Sequence, residues 1–275
     1  MTVMTTEWRE YRELHDHSTP PAAGDLMVLE KLHSPQLDNE RDILVYLPPS
    51  YETEDRRYPV MYMHDGQNLF DPATSFSGDW EVHTTMASAS HRGIEAIVVG
   101  IPNMGPERCN EYSPFEDDER GGGMGDQYLS FIIETVKPII DRDFRTLPDR
   151  AHTGIAGSSL GGLISIYGFF RFPEAFGFAG VMSPALWFAD RAIFPYLVEQ
   201  PYVPGKIYLD VGTQEGKRTL VNARQLHKLL LKKGYRLGLD LLYVEEKGAG
   251  HSESAWARRL RKTIPFLLRR IPTIR

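Results

Sequence analysis

From about position 26 onward, apolar and β-branched residues gather in short runs: 26–32, 42–47, 60–63, 96–101, 153–156, 179–182, 207–211 and 239–244. Runs of this length, bounded by turn residues, predict eight strands. Apolar residues recur at helical spacing over 80–90, 127–140, 160–170, 185–197, 220–232 and 254–268, which predicts six helices. Strand and helix therefore alternate after an initial hairpin-like pair. Because parallel neighbours require crossover connections, the pattern implies an α/β fold: an eight-stranded, mostly parallel sheet with helices on both faces. Residues 1–25 are polar, end near Pro20-Pro21 and read as a peripheral segment packed by Trp8 and Tyr11, followed by a single domain over 26–275. The one long loop, 103–125, is rich in Gly, Pro and acids (EDDERGGGMG), and long loops in compact domains are usually functional or mobile.

The stretch AHTGIAGSSLGGLI, residues 151–164, places GSSLG directly after an apolar strand and at the mouth of an apolar helix. That is the setting of a nucleophile elbow, in which glycines let strand and helix approach while the middle residue takes a strained turn. The frame selects Ser159, since with Ser158 in the middle Ala156 and Leu160 would hold the glycine positions. A glycine-rich phosphate cradle is the competing reading, but no P-loop lysine follows. In α/β-hydrolases the acid and then the histidine follow the serine. Of nine histidines only His227 and His251 lie beyond Ser159. His227 sits on an amphipathic helix, whereas His251 follows a strand on a glycine-flanked loop, and His251 is selected. For the acid, Glu215 on the loop after strand 207–211 is assigned, with Asp210 inside that strand in reserve. His251 would activate Ser159 toward an ester carbonyl, and Glu215 would hold the imidazole. Oxyanion donors are expected at the N–H groups of Leu160 and Gln67, with Gly66 as the alternative to Gln67.

The run 41–80 (RDILVYLPPSY, RYPVMYMHDGQNLFD, SFSGDW), the elbow GSSLGG, the stretch SPALW at 183–187, DVGTQE at 210–215 and HSE with Trp256 resemble the “Putative esterase” family of α/β-hydrolases. That family includes enterochelin-esterase-like proteins, esterase D and the feruloyl and acetylxylan esterases. The similarity covers nearly everything after Leu26. It implies an eight-stranded core, a triad on Ser159, Glu215 and His251, and no metal or organic cofactor. Trp187 could wall the pocket, and Arg108, Asn110 and Glu111 could grip a polar substrate. Cys109 reads as an inert thiol. The basic positions between 258 and 270 read as the polar face of a closing helix.

Composition narrows the alternatives. With 31 basic against 37 acidic residues the net charge is −6, which opposes attraction to nucleic acid and anionic membranes. A lone cysteine builds neither a disulfide nor a Cys-rich zinc site. No apolar run resembles a signal peptide or a membrane span, so cytoplasmic residence is expected. The expected partner is a small-molecule ester, with no nucleic acid and no membrane. Oligomeric state is not legible. An acyltransferase on the same scaffold, or a non-catalytic binding protein retaining the fold, are the competing functions.

Overall fold

The computed structural model describes residues 7–15 and 24–269. The first elements are β1 (Arg9–Glu10), the single turn α1 (Tyr11–Leu14), β2 (Asp25–Ser34), β3 (Asn39–Leu47), β4 (Val60–His64), α2 (Val82–Ser90) and β5 (Ile97–Ile101). An excursion follows, made of α3 (Arg108–Glu111), the hairpin β6 (Glu116–Asp117) and β7 (Gly121–Gly122), then α4 (Gly125–Ser130) and α5 (Lys137–Asp143). The rest alternates: β8 (Thr153–Ser158), α6 (Leu160–Arg171), β9 (Phe178–Met182), α7 (Ile193–Glu199), β10 (Lys206–Gly212), α8 (Lys217–Lys233), β11 (Leu241–Glu246) and α9 (Glu253–Leu268).

Among the described residues, nine strands form one sheet in the order β1-β2-β3-β5-β4-β8-β9-β10-β11. Pairing is antiparallel from β1 to β5 and parallel from β5 through β11. The eight predicted strands are all present. The ninth, β1, has two residues, too few to show a period, and its neighbour Trp8 packs edge-on to Phe144 at 4.8 Å. Every residue of β4, β5, β8, β9 and β10 is buried, as expected of strands covered on both faces. One face packs Ile155, Val181 and Leu209 under Leu163, Ile166 and Leu226; the other packs Met61, Met63 and Tyr208 under Trp80, Leu260 and Ile264. Among the described residues no helix is long and apolar enough to cross a membrane.

Two predicted helices differ. The segment 185–197 becomes helical only at Ile193, because Ala189, Asp190 and Arg191 take φ of 45°, 48° and 68°. A left-handed turn cannot continue a right-handed helix. The segment 127–140 lies inside a longer helical stretch in which α4 and α5 are joined through a π-helical turn, Phe131–Val136.

The stretch 103–125 is anchored rather than free. Glu111 forms a two-point ion pair with Arg41 of β3 (2.6 and 2.8 Å), both side chains being buried, and the guanidinium lies 5.2 Å from the Phe131 ring centroid. Breaking a buried pair by removing one partner strands the other charge. Glu111→Ala should therefore lower the urea-unfolding free energy by about 3–5 kcal/mol. The double change Arg41→Met, Glu111→Met should recover most of that loss, since neither charge then remains buried alone.

Candidate active site

β8 ends at Ser158 and α6 begins at Leu160, so the whole reversal falls on Ser159, at φ 56° and ψ −120°. Such a conformation costs a non-glycine residue about 1–3 kcal/mol and persists only when its surroundings impose it. Here the Ser159 N–H donates to the Met182 carbonyl (3.0 Å), and its own carbonyl accepts from Leu163 (3.0 Å) and Ala185 (2.9 Å). The reversal also needs its glycines. A Cβ on Gly157 would lie 2.8 Å from His64 Cδ2, and one on Gly161 would lie 3.3 Å from His64 Cβ. The Leu160 N–H is the first of α6, so no carbonyl one turn earlier in the helix can accept it, and it stands at the positive end of the helix dipole.

Two loops at the same sheet edge are zipped together. Thr213 N–H donates to the Glu246 carbonyl (3.0 Å), Gln214 N–H to the Ala249 carbonyl (2.9 Å) and Gly248 N–H to Thr213 Oγ1 (2.9 Å). The approach is so close that a Cβ on Gly212 would sit 2.4 Å from the Ala249 carbonyl oxygen. This sets Glu215 Oε2 at 2.9 Å from Nδ1 of the half-exposed His251. The imidazole stands edge-on to Trp256, with ring centroids 4.8 Å apart. Burial pushes the Glu215 carboxyl up, but hydrogen bonds from His251, Ser183 and the Gly212 N–H outweigh it and hold the group below the usual range. Asp210 faces elsewhere. It is fully buried in β10, accepts from Arg259 (2.6 Å) and the Ser183 N–H (2.9 Å), and is pushed up to about 7 by burial against the pull of Arg259.

Ser159 and His251 line one cavity of about 470 Å³, together with Gln67, Arg108, Phe76 and Trp256. Gln67 lies on the short turn after β4, Gly66–Asn68, which is jammed against the end of β5: a Cβ on Gly66 would sit 2.7 Å from the Ile101 and Pro102 nitrogens. Arg108 grips Asp65 at two points (2.7 and 2.8 Å), and Asn103 donates to the same carboxylate (2.7 Å). Burial pushes the Asp65 carboxyl up, but Arg108 and Asn103 outweigh it and hold it low. Phe76, at the rim, is 90% exposed with its N–H held by Asn68 Oδ1 at 3.0 Å. Sequence reasoning missed Phe76, although an aromatic alone in the polar run TSFSGD was a visible signal.

Three expected substrate contacts are corrected. Glu111 is consumed by Arg41 and buried, so it is closed to a substrate. Trp187 does not line this cavity; it lies beneath the Arg120 guanidinium (5.5 Å to the ring centroid) and packs against the core. Asn110 likewise spends its side chain on Glu107 and the Gly122 N–H. His227 stacks on Tyr243 at 4.2 Å, in keeping with a helix-surface role. A larger cavity, about 900 Å³, opens at the opposite end of the sheet among Arg57, Arg92, Arg150 and Lys206. Among the described residues it brings together no hydroxyl and imidazole beside a buried carboxylate, so the smaller cavity is the candidate site.

The family described as “Putative esterase” matches residues 34–267. YbbA, an uncharacterized protein of Bacillus subtilis, is 28% identical over 241 residues, covering 82% of this chain and 92% of that protein. The siderophore enterobactin esterase of Emericella nidulans is 28% identical over 150 residues, 49% of this chain and 48% of that protein, so the match spans about half of each. The solved siderophore hydrolase EstA from Aspergillus nidulans shares the fold at a TM-score of 0.73 and 22% identity, with 90% of this chain and 96% of that chain covered. The fold is that of the α/β-hydrolases.

His64 lies under the elbow, buried, with Nδ1 2.8 Å from the Tyr128 hydroxyl. Burial pushes its pKa down to about 3. The unfolded chain takes up this proton near pH 6.5 and the folded chain does not, so stability falls as pH drops from about 6.5 toward 3. Compared with His64→Gln, the wild type should lose about 1.4 kcal/mol more per pH unit across the middle of that window. Urea unfolding of both proteins at several pH values measures the difference.

Proposed function

The chain belongs to the “Putative esterase” family and is a carboxylesterase, and on that premise we propose that it cleaves small or medium esters through an acyl-enzyme on Ser159. His251 takes the Ser159 proton as the oxygen attacks the ester carbonyl. Collapse of the tetrahedral intermediate expels the alcohol, which receives that proton from His251. A water molecule deprotonated by His251 then releases the acid and restores the serine. Glu215 holds the imidazole through Nδ1 and offsets its positive charge. The Leu160 and Gln67 N–H groups receive the oxyanion, and the mechanism needs no metal or organic cofactor.

The observation that carries this reading is one cavity lined both by a strained elbow serine and by an imidazole whose Nδ1 lies 2.9 Å from a buried carboxylate. Substrate selection is assigned to the cavity wall. Arg108 offers a cation partly offset by Asp65, while Phe76 and Trp256 offer aromatic surface. This combination suits an ester with an apolar group on one side and polar groups on the other, and siderophore esters are among the substrates to try.

Ser159→Ala and His251→Gln should each lower turnover of p-nitrophenyl acetate and butyrate on the order of 10⁴-fold or more. A fluorophosphonate probe should label the wild type at Ser159. Rates in Ser159→Ala near those of the wild type would overturn the assignment. Acyl transfer to an added alcohol in preference to water would change the acceptor but not the nucleophile.

Phe76→Ala should raise KM for the butyrate ester by about 10-fold, with kcat little changed, because an exposed ring gains by covering apolar substrate.

A further inference from the structure

Behind Glu215 lies a set of buried hydrogen bonds that the mechanism above does not use. Ser183, the first residue after β9, is fully buried at φ 41°. Its hydroxyl donates to Glu215 Oε1 (2.6 Å) and accepts from Trp256 Nε1 (3.0 Å) and Arg259 Nη2 (3.1 Å). A hydroxyl has one hydrogen and two lone pairs. Indole and guanidinium can only donate, so both lone pairs are taken; the carboxylate can only accept, so the hydrogen has a single destination. Arg259 is itself 2% exposed, with Nη1 on Asp210 Oδ1 at 2.6 Å and Nε 3.2 Å from Glu246 Oε2. Glu215 Oε1 also accepts the Gly212 N–H at 2.6 Å. That oxygen is saturated, and Oε2 is left for His251.

The arrangement resolves a competition. Arg259 Nη2 also donates to Glu215 Oε1, but only at 3.4 Å, and a closer guanidinium would claim the carboxylate. The Ser183 hydroxyl takes the shorter of the two contacts from Arg259 Nη2, 3.1 Å against 3.4 Å to Glu215 Oε1, and donates its own hydrogen to that carboxylate oxygen at 2.6 Å. The carboxylate charge then remains available to the imidazole.

We propose that Ser183, oriented by Arg259 and Trp256, is a positioning residue for ester hydrolysis that aims Glu215 Oε2 at His251 Nδ1. The inference rests on the Ser159, His251 and Glu215 reading above. Asp210, the residue held in reserve as the acid, is on this assignment the counter-ion that fixes Arg259.

The test measures hydrolysis of p-nitrophenyl butyrate by the full chain, with turnover normalised to sites titrated by a fluorophosphonate probe and folding followed by thermal melting. Ser183→Ala should lower kcat by about 10–100-fold with KM within about 2-fold of the wild type, the signature of a misaimed group and not of weakened binding. Arg259→Met should do the same. Because Arg259 acts through Ser183, the double variant should be no slower than the slower single variant. Should Arg259→Met fail to fold, Arg259→Lys replaces it in the cycle. A folded Ser183→Ala with kcat within about 3-fold of the wild type, or a double variant whose losses multiply, would overturn the positioning role. Either result beside an inactive Ser159→Ala would leave the nucleophile assignment standing; an active Ser159→Ala would remove that assignment instead.

Discussion

One register line across four parallel strands governs the rest of the molecule. Ser158 pairs with Met182, Met182 with Asp210 and Asp210 with Val244, so β8, β9, β10 and β11 approach their ends along a common row. Neighbouring strands are about 4.8 Å apart, and whatever follows those ends therefore emerges side by side. Ser159 follows the first, Ser183 the second, and the zipped loops bearing Glu215 and His251 the third and fourth. The ladder continues one step beyond the row, since Ser159 N–H donates to Met182 and Ser183 N–H to the Asp210 carbonyl (3.0 and 3.1 Å). Residues separated by more than ninety positions in the chain come to line one cavity because the apolar strands beneath them cannot slip register without exposing a buried face.

The same edge is where the fold stores its costs. Ser159, Ser183 and Asp65 all have positive φ, at 56°, 41° and 55°, and none is glycine. Buried charge lies there as well: Arg259 with Asp210 behind the site, and Arg41 with Glu111 beneath the cavity wall. Ion pairs of this kind are weak contributors to net stability, because desolvation offsets most of the attraction. Their value is directional. A guanidinium with several donors in a fixed plane can hold two acceptors at set angles, which an apolar replacement of equal volume cannot do.

Much of this was legible from residue order alone, and the remainder divides by physical cause. The strand centres were visible because double-sided burial turns them into continuous apolar runs, and Ser159 because only one frame puts glycines at both flanking positions. His251 followed from chain order, and Glu215 from its position on a loop and not within the strand. Arg259 was misread: among the basic positions after 258 it looks like part of a solvated face, yet it points inward to Asp210. Its partner is forty-nine residues away, and no local period encodes such a pairing. Glu111 was misread for the same reason, since an acid in a Gly-rich, acidic loop looks free to grip a substrate until its Arg41 partner across the fold is known. Ser183 stood out only as part of the SPALW motif, because its role lies in three hydrogen bonds to side chains from α9 and from the loop after β10.

The chain also divides its labour by half. The groups assigned to bond-making come from β8 onward, whereas much of the cavity wall comes from the β4 and β5 connections: Asp65, Gln67, Phe76, Asn103 and Arg108. Such a division lets the wall vary while the reacting groups stay in place. The separation is incomplete in one respect. The loop carrying Phe76 is tied to the turn carrying Gln67, through Thr74 Oγ1 on the Gln67 carbonyl (2.8 Å) and Asn68 Oδ1 on the Phe76 N–H (3.0 Å). Gln67 in turn accepts from the Asn103 N–H through its side chain (3.2 Å). Any change that moves this loop to admit a different substrate therefore pulls on the turn assigned to the oxyanion. On the proposed reading selectivity and turnover are coupled there by two hydrogen bonds, and a change on the Arg108 side reaches the same turn through Asp65, which precedes it, and through Asn103.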